Sequence, residues 1–117
     1  MQRKVGAYLQ DIIDACAAIE SDLADLTFDA YLARRAVRSA VEREFIIVGE
    51  AAAALAHLDA DLFDKISHGR RIVDFRNQLT HAYQLVDDRI VWLIAANDVP
   101  VLRRECEELL RGLAGEA

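Results

Sequence analysis

Apolar residues at Val5, Leu9, Ile12, Cys16, Ile19, Leu23 and Leu26 step along the chain by threes and fours without a miss. Side chains at that spacing share one helical face, so the pattern predicts a long first helix with a single buried seam. Residues 21–26 are where it should fray, and Thr27 suits the N-cap of the next segment. A second stripe follows at Val37, Val41, Phe45, Val48, Ala52 and Leu55, led in by Phe28, Tyr31 and Leu32. Its opposite side carries Arg34, Arg35, Arg38, Glu42 and Arg43. It enters an alanine run at 51–54, whose small side chains allow a neighbouring helix to come close. Asp59, Asp61 and Asp64 around Leu62 and Phe63 predict a connection with one short helical turn.

A third helix should begin between Ser67 and Gly69 and run to Val86 on the stripe Ile72, Phe75, Leu79, Ala82 and Val86. Asp87 and Asp88 supply a break and a cap for residues 89–96. Asn97-Asp98-Val99-Pro100 interrupts, because Pro100 fits the first turn of a helix and not its interior. The last helix uses Leu102, Cys106, Leu109 and Leu113, with Gly112 and Gly115 expected to end it. No stretch alternates as a strand would, and neither internal repeats nor low-complexity linkers occur. The expectation is an all-α chain, a four- to five-helix up-and-down bundle, with residues 1–117 as one domain.

Composition sharpens this. Of the 117 residues 54% are hydrophobic, with 5 Gly and 1 Pro, which excludes a disordered tail and a turn-rich all-β chain. The net charge of −6 offers no general basic field for nucleic acid. Any such contact must come from a local arginine cluster, and DNA is not an expected partner. Cys16 and Cys106 lie in helical patterns with no CxxC pairing, as reduced core thiols would. No apolar run approaches the ~20 residues of a membrane span. Met1-Gln2-Arg3-Lys4 leads directly into the first amphipathic pattern, so a cytoplasmic protein is expected. His57, His68 and His81 show no metal-ligand spacing, no Gly-rich phosphate loop is present, and no cofactor is implied.

The chemistry concentrates in Phe75-Arg76-Asn77-Gln78-Leu79-Thr80-His81-Ala82-Tyr83. Chance would place Arg, His and Tyr at these spacings in a chain of this composition roughly once in a hundred. With Arg76 set at zero and about 100° per residue, Asn77 falls at about 100°, His81 at about 140° and Tyr83 at about −20°. The apolar stripe centres at about −80° on the same wheel, so Asn77 and His81 face away from the core. Tyr83 falls at the stripe's edge, and Asn77 is one turn before His81, where its amide could orient the imidazole. Arg76 and His81 diverge too widely to grip one small group from a regular helix. Either the helix loosens there, or a second copy completes the site across a two-fold axis. Glu50, interrupting an apolar run, is a weaker candidate, better suited to a structural ion pair.

Arg76-Asn77-x3-His81-x-Tyr83 resembles the R-x4-H-x-Y signature of the HEPN superfamily, specifically that of the HepT-like ribonuclease toxins. Similarity continues upstream through Arg35-Ala36-Val37 and Ile46-Ile47-Val48-Gly49-Glu50-Ala51. Downstream it covers the Trp92 segment and Asn97-Asp98-Val99-Pro100-Val101-Leu102, so it takes in essentially the whole chain. The resemblance implies a HEPN-like bundle acting as a symmetric homodimer with both motifs in one cleft. It also implies a metal-independent endoribonuclease toxin of a type VII-like toxin–antitoxin system, with RNA as substrate and Arg76, Asn77 and His81 catalytic. Its partner would be a minimal nucleotidyltransferase antitoxin that silences the toxin by AMPylation of Tyr83. The competing expectation is a noncatalytic helical subunit whose motif serves as the docking face for a nucleotidyltransferase.

Overall fold

The computed structural model describes residues 4–116, apart from the side chains of Tyr83 and Glu116. The unbroken first stripe forms α1 (Val5–Leu23), which buries Leu9, Ile12, Ala15, Cys16 and Ile19. The chain turns after Leu23, within the stretch expected to fray. Thr27 then caps α2 (Phe28–Ala33), its hydroxyl accepting the Ala30 amide at 3.1 Å. The second stripe is divided. Arg34 leaves helical geometry (φ −110°, ψ 89°), so the lead-in residues form their own short helix before α3 (Arg35–Leu58). The reason is packing: Phe28 and Tyr31 turn away to meet Trp92, with ring centroids 6.0 and 5.3 Å apart, and Arg89 lies over Phe28.

Asp59 caps the short α4 (Ala60–Phe63), accepting the Leu62 amide at 3.1 Å, as the acidic connection suggested. Then come α5 (Gly69–His81), a 3₁₀ turn at Tyr83–Leu85, α6 (Asp88–Asn97) capped by Asp87, and α7 (Val99–Glu116). Pro100 sits in the first turn of α7. Two boundaries differ from expectation. Helix α5 stops at His81, five residues before Val86. Helix α7 passes through Gly112 and Gly115 without ending, because Leu109, Leu110 and Leu113 remain packed on the core and sustain the last turns. Among the described residues there are thus seven α-helices and no strand, in place of four or five. The two additional helices are the short α2 and α4.

Helix α1 lies against α3 and α7, and α3 lies against α5. One hydrophobic cluster runs through all of them, from Leu9 to Cys106. Phe45 of α3 and Phe75 of α5 meet edge to face at 5.2 Å. Two polar links secure α7. Arg103 holds Glu20 of α1 at 2.5 Å and Glu107 at 2.7 Å, while Glu105 accepts both the amide and hydroxyl of Ser67 ahead of α5. Cys16 and Cys106 are buried and unpaired. Burial pushes both thiols up, Cys106 to about 12, which disfavours the reactive thiolate form. No described helix is long and apolar enough to cross a membrane. The Met1-Gln2-Arg3 start lies outside the described residues.

Candidate active site

All the motif's helical residues sit on α5, which is amphipathic throughout. Ile72, Val73, Phe75 and Leu79 are buried, whereas Asn77 and His81 are exposed, as the helical wheel indicated. His81 is the last helical residue. Ala82 departs from helical geometry (φ −144°, ψ 40°) while its amide still bonds the Gln78 carbonyl. Thr80 contributes to this ending. Its hydroxyl donates to the Arg76 and Asn77 carbonyls at 3.1 and 3.2 Å, a local bond that weakens a helical turn from within. The imidazole is therefore presented at the rim of the bundle, at the C-terminal end of the helix. The wheel position assigned to Tyr83 lapses, since that residue belongs to the 3₁₀ turn beyond α5; its side chain lies outside the described residues.

Arg76 departs from expectation. It is expected to project from the core as His81 does, although the wheel sets it only about 80° from the stripe's centre. It is half-buried, and its Nε is buried with no hydrogen-bond partner among the described residues. The cause lies across the interface, at Gly49 of α3. A Cβ there would fall 2.1 Å from the Arg76 Cβ and 2.6 Å from its Cγ. With no side chain at 49, the arginine stem lies directly on the α3 backbone. Ala51 and Ala52 of the alanine run are buried as well, and Gly49, two residues earlier, leaves no room for a Cβ at all. Among the described residues Arg76 has no ion-pair or hydrogen-bond partner for its side chain, in a chain with an excess of acidic residues.

Other expectations about the site resolve differently. Asn77 and His81 are one turn apart, yet no hydrogen bond joins their side chains, so the amide does not orient the imidazole within one chain. Glu50 is exposed, and the structural ion pair expected for it does not form among the described residues. The arc between Arg76 and His81 persists: five residues of regular helix place their Cα atoms about 7.5 Å apart along the axis and about 140° apart around it. A hollow of about 210 Å³ lined by Leu23, Leu26, Trp92, Ala95 and Pro100 contains none of the motif residues. Beyond the motif, apolar side chains face outward at Leu85, Ile90 and Leu93, with Leu85 84% exposed. No group of three or more His, Cys, Asp or Glu side chains is gathered as a metal site among the described residues.

Gly49 is the site residue that helical periodicity missed. The signal was a glycine in the middle of a helical stripe, which costs helix stability and so points to close packing.

Comparison with known proteins bears on this arrangement. A family model described as "Ribonuclease HepT-like" matches residues 12–109. The protein named "Probable ribonuclease HepT" from Thermococcus cleftensis is 32% identical over 93% of this chain and 98% of its own length. "Putative RNase MJ0127" from Methanocaldococcus jannaschii is 30% identical over 98% of this chain and 94% of its own length. "Putative RNase MJ1380" of the same organism is 29% identical over 91% and 96%. No solved structure gives a significant match. The matched region runs from the middle of α1 into α7 and includes all of α3, α5 and the motif they carry, so the chain belongs to the HepT-like ribonuclease family.

Proposed function

We propose that this protein is a metal-independent endoribonuclease that works as a homodimer, with the α5 motifs of two copies facing one cleft. The observation that carries the reading is Arg76, a half-buried cation with no carboxylate partner among the described residues, on the helix that ends in an exposed imidazole. Such an arginine is available to phosphate oxygens, which its planar fork binds in pairs. Histidine moves protons near neutral pH.

In RNA the 2′-hydroxyl attacks the adjacent phosphorus. The 2′-hydroxyl gives up its proton as the O2′–P bond forms, the P–O5′ bond breaks, and the 5′-oxygen leaves with a proton, so the products are a 2′,3′-cyclic phosphate and a 5′-hydroxyl. His81 transfers one of these protons, and Arg76 stabilises the charge that builds on the phosphoryl oxygens. Asn77 is assigned to positioning substrate, since within one chain its amide does not hold the imidazole. The wide arc from Arg76 to His81 fits a site shared by two copies, and the outward-facing Leu85, Ile90 and Leu93, which follow the motif in sequence, supply apolar surface for such an interface.

Control is assigned to a minimal nucleotidyltransferase antitoxin that uses ATP to transfer AMP onto the Tyr83 hydroxyl, releasing pyrophosphate. Tyr83 follows His81 by two residues, so the added phosphate and purine would stand beside the groups that receive RNA and compete for Arg76. The deciding experiment is incubation with mixed RNA in EDTA, wild type beside His81→Ala. Cleavage lost in the variant supports the reading; equal cleavage by both overturns the assignment of His81. A wild type that binds the nucleotidyltransferase but cuts nothing favours the noncatalytic subunit instead.

A further inference from the structure

Among the glycines, Gly49 leaves the least room for a side chain, and it does so at the candidate site. A Cβ on Gly49 would meet the Arg76 Cβ and Cγ at 2.1 and 2.6 Å, and the Ile72 carbonyl oxygen at 3.4 Å. Carbon atoms in contact sit about 3.5–4.0 Å apart. The atoms in conflict are the root of the arginine side chain, which moves only if the α5 backbone moves. Rotation of the guanidinium end cannot relieve the conflict. The crossing is also pinned by the Phe45–Phe75 contact, one turn before Gly49 on α3 and immediately before Arg76 on α5. Gly49 is itself buried.

The same stem ends in an Nε that is buried and has no partner among the described residues. A buried donor without an acceptor is costly and persists only where the surroundings fix it. We propose that Gly49 is a positioning residue for Arg76. The bare α3 backbone seats the arginine stem and keeps its Nε from water, so the remainder of the guanidinium is held unpaired for a phosphate group. This rests on the reading of Arg76 as the phosphate-binding group, and it assigns to α3 a share in a site that the motif places wholly on α5.

The test follows the Arg76 Nε–H directly, by ¹⁵N NMR of the full chain, with its signal identified by loss in Arg76→Lys. In the wild type this proton should exchange with water at least about tenfold more slowly than those of the exposed Arg70 and Arg71. In Gly49→Ala it should exchange as they do, and kcat on RNA should fall by about 10- to 100-fold with KM changed less than about threefold. Combined with Arg76→Lys, Gly49→Ala should cost less than about twofold more, because its effect passes through the arginine. Slow exchange retained in a folded Gly49→Ala, or an equal loss in the Arg76→Lys background, overturns the proposal. If Gly49→Ala does not fold, the wild-type exchange rate decides, slow in support and fast against. A wild type that cuts no RNA defeats the ribonuclease reading, while the exchange rates still decide the role of Gly49.

Discussion

His81 and Arg76 carry the chemistry proposed for this protein, and their surroundings differ. His81 is exposed at the end of α5, so removing its ring should leave the fold unchanged. We expect His81→Ala to retain the helical circular-dichroism spectrum and melting temperature while RNA cleavage falls by about 10²–10⁴-fold. Arg76→Ala should be as inactive, but it also removes a stem packed on Gly49 and so should lower the melting temperature measurably. Glu42 behaves oppositely to a stabilising carboxylate. Burial, with Asp88 adding and Arg38 opposing, holds its carboxyl above the ordinary value. Folding therefore favours the protonated form. The cost is present in full above the raised folded-state value, relieved as pH falls through it, and gone below the unfolded one. Glu42→Gln should raise the melting temperature at neutral pH, with the gain shrinking toward acid. A gain independent of pH would refute the electrostatic origin. At this scale the sequence was legible for polarity and not for contact: a wheel places His81 and Asn77 outward correctly and Arg76 near the stripe's edge, but it knows nothing of Gly49, on which the arginine stem lies.

Three helix starts were set by local chemistry, whereas the break before α3 was set by a neighbour and the end of α5 was not legible from its stripe. Thr27, Asp59 and Asp87 each cap the element that follows, as their side chains dispose them to do. Thr27→Ala should cost about 1 kcal/mol in urea unfolding, because the Ala30 amide loses its acceptor. Phe45→Ala should cost about 3–5 kcal/mol, since it opens a cavity where α3 and α5 meet. By contrast, the stripe that appeared to carry α5 to Val86 is interrupted at Ala82, where the chain turns toward α6. The stop is helped by Thr80 bonding back to its own turn. The break at Arg34 was likewise invisible, because Phe28 and Tyr31 suit one continuous helix until Trp92, some sixty residues later, draws them aside.

For the whole molecule, the questions are what it assembles with and how that controls it. Leu85 and Ile90 expose apolar surface directly beyond the motif. We expect sedimentation at tens of micromolar to give a dimer, and Leu85→Asp with Ile90→Asp to give a folded monomer that no longer cuts RNA. A wild-type monomer under the same conditions would remove the shared cleft. Coexpression with a neighbouring nucleotidyltransferase should add one adenylyl mass to the chain and none to Tyr83→Phe. Modification that survives that substitution would leave direct blocking by the partner as the route to inhibition.

The sequence by itself determined the class of fold, the positions of most helices, the outward face that bears Asn77 and His81, and the motif that aligns the chain with its family. All of these depend on periodicity, capping and residue type, which are local and readable along one dimension. Tertiary structure decided where α5 ends, that α2 stands apart from α3, and that Arg76 lies on Gly49 with its Nε out of water. Those depend on which surfaces meet. Residues 49 and 76 are 27 positions apart in sequence, and only the crossing of two helices brings a missing side chain on one against the stem of an arginine on the other.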